Sequence, residues 1–176
     1  MMKRTSYFIV PFIATLSSYA NAADGTINFT GEILETACSV NIGANNSLNV
    51  ILGKVAKSSF QSAGETAAAT KFTIKLRNCP QSLSSATIKF DGKMNSTNNS
   101  YLALTSGTGV AEGIAVALYD SSQSLVPLMT SSTNYNLSSE SENNLEFYAK
   151  YIATSAVEAI KAGTANATTT FSVIYN

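Results

Sequence analysis

From residue 37 onward, apolar side chains recur at every second position in short runs separated by clusters of serine, asparagine and glycine. That period of two marks strands with one buried face. Phe72, Ile74 and Leu76 alternate with Thr73, Lys75 and Arg77, and the run stops at Cys79 and Pro80; Ala86, Ile88 and Phe90 alternate with Thr87, Lys89 and Asp91. Both predict half-buried antiparallel strands. Further strands are predicted at 38–42, 48–55, 101–104, 114–119, 145–154 and 167–175. Segments 58–69, 93–100, 121–144 and 155–166 read as polar or small-residue loops, with room for a helical turn in 63–70 and in 155–162. Helical periodicity is otherwise nearly absent, and no internal repeat or linker interrupts the chain. Strands of this number and length predict an all-β sandwich, immunoglobulin-like or jelly-roll.

One segment fits a closed sandwich poorly. In 25–33, Gly25, Ile27, Phe29, Gly31 and Ile33 share one face of an extended chain, which at roughly 3.3 Å per residue would span about 30 Å. It could be an ordinary first strand. Two glycines on the apolar face point instead to a place where another backbone comes close.

The first 22 residues carry a different pattern. Lys3 and Arg4 precede an almost wholly apolar stretch of about ten residues, and Ala20 and Ala22 place small side chains at the −3 and −1 positions of a signal peptidase site. This predicts a secretory signal peptide over 1–22. The stretch is too short for the roughly 20 residues that span a bilayer, so no permanent membrane anchor is expected.

Composition narrows the function. Lysine plus arginine equals aspartate plus glutamate at 11 each, and charged residues are only 12% of the chain. There is no basic field to neutralise phosphates, so no nucleic acid partner is expected. Histidine is absent, which removes the usual general base, nucleophile activator and metal ligand. Two cysteines, Cys38 and Cys79, cannot hold zinc by themselves and lack the redox spacing of two intervening residues. In an exported chain they are expected to form a disulfide, worth about 4 kcal/mol on the chain-entropy account.

Several pieces of the sequence, taken in order, resemble the pilin subunits of the chaperone-usher pathway, of the type 1 fimbrial major-subunit kind. They are the extension 25–33; Ala37, Cys38, Ser39 and Val40; Leu52, Gly53, Lys54 and Val55; and Leu76, Arg77, Asn78 and Cys79. Later come 113–120, 147–151 and the ending Phe171, Ser172, Val173, Ile174, Tyr175, Asn176. The ending is the most specific, with its penultimate tyrosine and with Gly163 at the fourteenth position counted back from Asn176. Thr169 departs from the pattern, where a small apolar residue is usual.

The resemblance implies an incomplete immunoglobulin-like β-sandwich, the pilin fold, completed by a donor strand from another subunit. It implies a donor-strand extension at 23–35 and a pilin domain at 36–176. Gly25, Ile27, Phe29, Gly31 and Ile33 would form the donor face, and Gly163, Phe171, Val173 and Tyr175 would edge a groove that takes a chaperone strand first and the next subunit's extension afterwards. The implied partners are other fimbrial subunits in a homopolymer, a periplasmic pilus chaperone and an outer-membrane usher. The implied destination is a cell-surface fimbria that supports adhesion, reached through the periplasm. No enzymatic activity, cofactor or metal is expected. A minor adaptor or tip subunit is the nearest alternative. A secreted sugar-binding sandwich is a more distant one, disfavoured by the absence of tryptophan.

Weaker signals have plainer readings. Gly107, Thr108, Gly109 and Gly113 lack the lysine and the spacing of a phosphate loop. Glu140, Glu142 and Glu146 form a solvated acidic edge rather than a calcium site, which needs six to eight oxygens. The asparagines in glycosylation-type triplets read as solvated loops.

Overall fold

A computed structural model describes residues 25–176; the predicted signal peptide lies outside the described residues. The chain divides into two units, Met1–Ile33 and Leu34–Asn176. In the first, 25–33 has no regular secondary structure and no sheet partner among the described residues, and is exposed throughout.

The second unit holds seven antiparallel strands: β1 (Ser39–Asn41), β2 (Thr66–Arg77), β3 (Ser85–Gly92), β4 (Ile114–Asp120), β5 (Tyr135–Asn136), β6 (Asn143–Ala153) and β7 (Thr169–Tyr175). They form a four-stranded sheet in the order β1-β2-β6-β4 and a three-stranded sheet in the order β5-β3-β7. Alternation sends Ile74 and Leu76 of β2, Leu145 and Phe147 of β6, and Ile88 and Phe90 of β3 inward, all but inaccessible to water. Phe72 and Phe147 meet Phe90 across the two sheets, with ring centroids 5.1 to 6.2 Å apart, and Tyr135 closes the cluster 5.4 Å from Phe147. Edge-to-face rings of this kind add to the area they bury.

The sheet edges are treated unequally. Beyond β4, Leu102 exchanges two backbone hydrogen bonds with Val116 (2.8 and 3.1 Å), and the Val126 amide donates to the Leu118 carbonyl at 2.8 Å. That edge is covered, as edge strands generally must be. The β7 backbone pairs with β3 from Thr169↔Gly92 to Tyr175↔Ala86 and, among the described residues, with nothing on its other side.

The differences from the predicted elements have local causes. Residues 48–55 and 101–104 alternate like strands but are not part of either sheet; Leu102 makes only isolated bridges, and 48–55 has no partner strand. β2 begins at Thr66, inside a predicted loop, and carries a bulge between Ala67 and Thr70, where Ala68 has φ 57°. A bulge inserts an extra residue and breaks the period of two. The helical turns fall at Ala44–Asn46, Lys57–Ser59 and Val157–Ala159, and most of 63–70, where one was expected, is strand.

Candidate functional site

β7 is built like an inner strand but finished like an open one. Thr169, Phe171, Val173 and Tyr175 point toward the core and are only half-buried, while Thr170, Ser172 and Ile174 face solvent. The Thr169 hydroxyl donates to the Asp91 carbonyl at 2.8 Å. Burial pushes the Tyr175 phenol pKa up, opposed by a hydrogen bond with the Cys38 backbone.

The opposite wall is the segment 47–56. Val50, Leu52 and Val55 pack against the core while Ile51 is 81% exposed. No backbone hydrogen bond of 48–55 is found among the described residues; the Thr70 hydroxyl donating to the Ile51 carbonyl at 3.3 Å is its one side-chain tie there. Two stretches of unpaired backbone thus flank a strip of partly buried apolar side chains. Unpaired backbone polar groups and exposed apolar area are both costly when left uncovered.

Near the upstream end of β7 the strip deepens into a cavity of about 110 Å³, lined by Val55, Phe60, Ile114, Tyr151, Ile160 and Gly163 among others. Gly163 is there for close approach: a Cβ would lie 2.6 Å from the Ala111 nitrogen and from the Val110 carbonyl carbon. Of the four groove residues named from sequence, Phe171, Val173 and Tyr175 lie together on the inner face of β7, and Gly163 sits in the cavity wall beyond its start. Val50, Leu52, Val55, Phe60 and Ile160 complete the strip. Their apolarity was visible in the sequence, but not their lack of a strand neighbour.

The residues expected from sequence to form a donor face are exposed. Ile27, Phe29 and Ile33 are 79, 91 and 96% exposed, and a Cβ at Gly25 or Gly31 would meet nothing within 4 Å. Cys38 and Cys79 are bonded to each other. The bond is buried, and the Asn143 amide, which also donates to the Ser138 carbonyl at 2.9 Å, lies 3.5 Å from the Cys79 sulfur. No group of three or more metal-ligating side chains occurs among the described residues. Among them no helix is long and apolar enough to cross a membrane.

An open strand edge, an apolar strip beneath it and an exposed apolar extension thus occur in one chain. Residues 27–176 match the family described as fimbrial protein. The chain belongs to the fimbrial protein family. Long polar fimbria protein A of Salmonella typhimurium is 28% identical over 178 residues, covering 99% of this chain and 98% of the relative. The crystal structure of the Burkholderia pseudomallei antigen and type I fimbria protein is 39% identical with a TM-score of 0.61, covering 86% of this chain and 97% of that one. The P pilus rod subunit PapA, at 22% identity, shares the fold with a TM-score of 0.63, over 80% of this chain and all of that one. The chain is therefore a structural, non-enzymatic subunit of surface fimbriae of the chaperone-usher kind, and its sandwich is the incomplete immunoglobulin-like fold of pilins.

Proposed function

We propose that this fimbrial subunit polymerises by donor-strand exchange, residues 25–33 of one copy lying along the open edge of β7 in the next. The observation that carries this reading is the pairing of unmet needs: among the described residues β7 lacks a neighbour on its outer flank over seven residues, and the extension exposes Ile27, Phe29 and Ile33. Adding a strand to a sheet edge gains main-chain hydrogen bonds along its length, and alternate side chains supply specificity; chaperone–pilin complementation is a known instance. Each large apolar side chain so buried contributes roughly 1.5 to 3 kcal/mol.

Before assembly the same strip would be covered by a strand of a periplasmic chaperone, and export would proceed through an outer-membrane usher after removal of residues 1–22. The donor extension is then 23–35 and the receiving domain 36–176. The subunit is the repeating unit of a homopolymer, with adaptor and tip positions as the alternative.

Phe29→Asp and Tyr175→Asp separate the two halves of the exchange. A carboxylate at 29 would be buried unpaired on assembly, so the first variant should accumulate as chaperone-bound subunit and yield few filaments. Tyr175→Asp should lower chaperone capture as well. Normal filaments from Phe29→Asp would refute strand exchange through 25–33.

A further inference from the structure

The three-stranded sheet has two flanks, and they are treated differently. β7 has no strand neighbour beyond β3 among the described residues, whereas the far side of β3 is covered by β5 and by the stretch 129–134 that leads into it. The Met129 amide donates to the Phe90 carbonyl and the Ser132 amide to the Ile88 carbonyl, both at 2.8 Å. The Ile88 amide donates in turn to the Ser132 hydroxyl at 3.0 Å, a side chain standing where a strand carbonyl would. This cover has little apolar anchorage of its own. Between buried Leu128 and half-buried Tyr135 only Ser132 is buried, and Met129 is 47% exposed. Met129 also has φ 63°, a left-handed backbone that a non-glycine residue keeps only under constraint.

The constraint converges on Asp120, at the end of β4. It is all but inaccessible to water and is in no ion pair among the described residues. Its Oδ1 accepts from the Ser122 and Ser124 amides at 2.9 and 3.0 Å, and its Oδ2 accepts from the Thr133 hydroxyl at 3.1 Å. One carboxylate thus ties the beginning of the connection 121–134 to its end, from the last residue of a strand in one sheet to the cover on a strand of the other. A buried carboxylate is costly unless its oxygens are satisfied, and here three donors from that connection satisfy them. Thr133 is itself exposed, so its tie to Asp120 supplies geometry rather than burial.

We propose that Asp120 and Thr133 form a clasp that keeps 129–134 over the outer edge of β3, so that the three-stranded sheet has one edge free for strand addition instead of two. Uncovered backbone on an edge strand is a template for any extended chain. A subunit that joins others by strand addition yields a linear polymer only with a single such edge; with two, chains branch. The proposal rests on the strand-exchange reading and adds what closes the second edge. Asp120 is a positioning residue here, acting through 129–134 and not by contact with a partner.

Amide hydrogen exchange of the unassembled subunit reads the clasp, and a labelled peptide of residues 25–33 reads its consequence. In Asp120→Ala the amides of Ile88, Met129 and Ser132 should exchange about tenfold or more faster, as expected when hydrogen bonds to a charged group are lost, while β6 amides stay as they were. Thr133→Val, at an exposed position where folding is not at stake, should speed the same three amides. Asp120→Asn keeps an acceptor oxygen for the two amides and can donate to the Thr133 hydroxyl, so it should stay within about threefold of the unaltered chain. At saturation the unaltered subunit should take up one peptide; Asp120→Ala and Thr133→Val should take up more than one, and their filaments should branch. Unchanged exchange of the three amides in Thr133→Val, or one peptide per subunit in both variants despite faster exchange, overturns the proposal. An unaltered subunit that takes up no peptide removes strand exchange and the single-edge role with it, a failure told apart from that of the clasp because the exchange measurement needs no peptide.

Discussion

β6 and β7 carry the same kind of sequence to different ends. Each alternates apolar and polar residues and each sends a phenylalanine inward, yet Phe147 is completely buried and Phe171 only half so. β6 has β2 on one side and β4 on the other; β7 has β3 and an open flank. Burial of a strand's inner face is thus set by its neighbours as much as by its own pattern. An inward phenylalanine on an edge strand leaves part of its apolar area uncovered. The contrast with β4 sharpens this, because that edge is closed by the backbones of Leu102 and Val126.

The largest effect should fall on the complete side. Phe147→Ala should cost the isolated subunit about 3–5 kcal/mol, the range for large core truncations, in equilibrium denaturant unfolding. Phe171→Ala should cost clearly less in the same assay, and its deficit should grow once the subunit is assembled. Equal losses in the isolated chain would break the comparison.

Reduction of the Cys38–Cys79 bond should remove roughly 4 kcal/mol on the chain-entropy account, because it fastens the three-residue β1 and the root of the extension to the end of β2. Denaturation midpoints of oxidised and reduced chain would show it. Gly163→Ala should cost about 1–3 kcal/mol, the range for overpacking, since its methyl group would press on the backbone at 109–111. It should also narrow the cavity and slow strand capture.

The smallest effect is electrostatic and belongs to the four-stranded sheet. Hydrogen bonds from Lys75 and Arg77 hold the Glu142 carboxyl below the ordinary carboxylate range. A depressed folded-state pKa gives stability that is present above the unfolded value and lost as pH falls through the folded one. Acid titration of stability should therefore be shallower in Glu142→Gln than in the unaltered chain, with the two converging at low pH.

Most of the strand content of both sheets was legible because alternation survives in one sequence: β2, β3, β4, β6 and β7 were all predicted within a few residues, apart from the early start of β2, while the two-residue β5 lies in a segment read as loop. What a single sequence could not carry was pairing. Segment 48–55 alternates as well as β3 does, and only the fold reveals that it lacks a strand neighbour. The inner-face residues of β7 followed from the resemblance of the chain's ending; the wall at 47–56 and the cavity at Gly163 depend on long-range adjacency that local pattern does not encode.

Amide hydrogen exchange compared between unassembled subunit and filament tests the central claim most directly. β6 amides should be protected in both states, since their partners are internal. β7 amides on the open flank should exchange quickly in the unassembled subunit and become strongly protected in the filament, together with the amides of 25–33. Protection of β7 that is already complete in the unassembled subunit, or 25–33 amides that stay unprotected in the filament, would contradict the account.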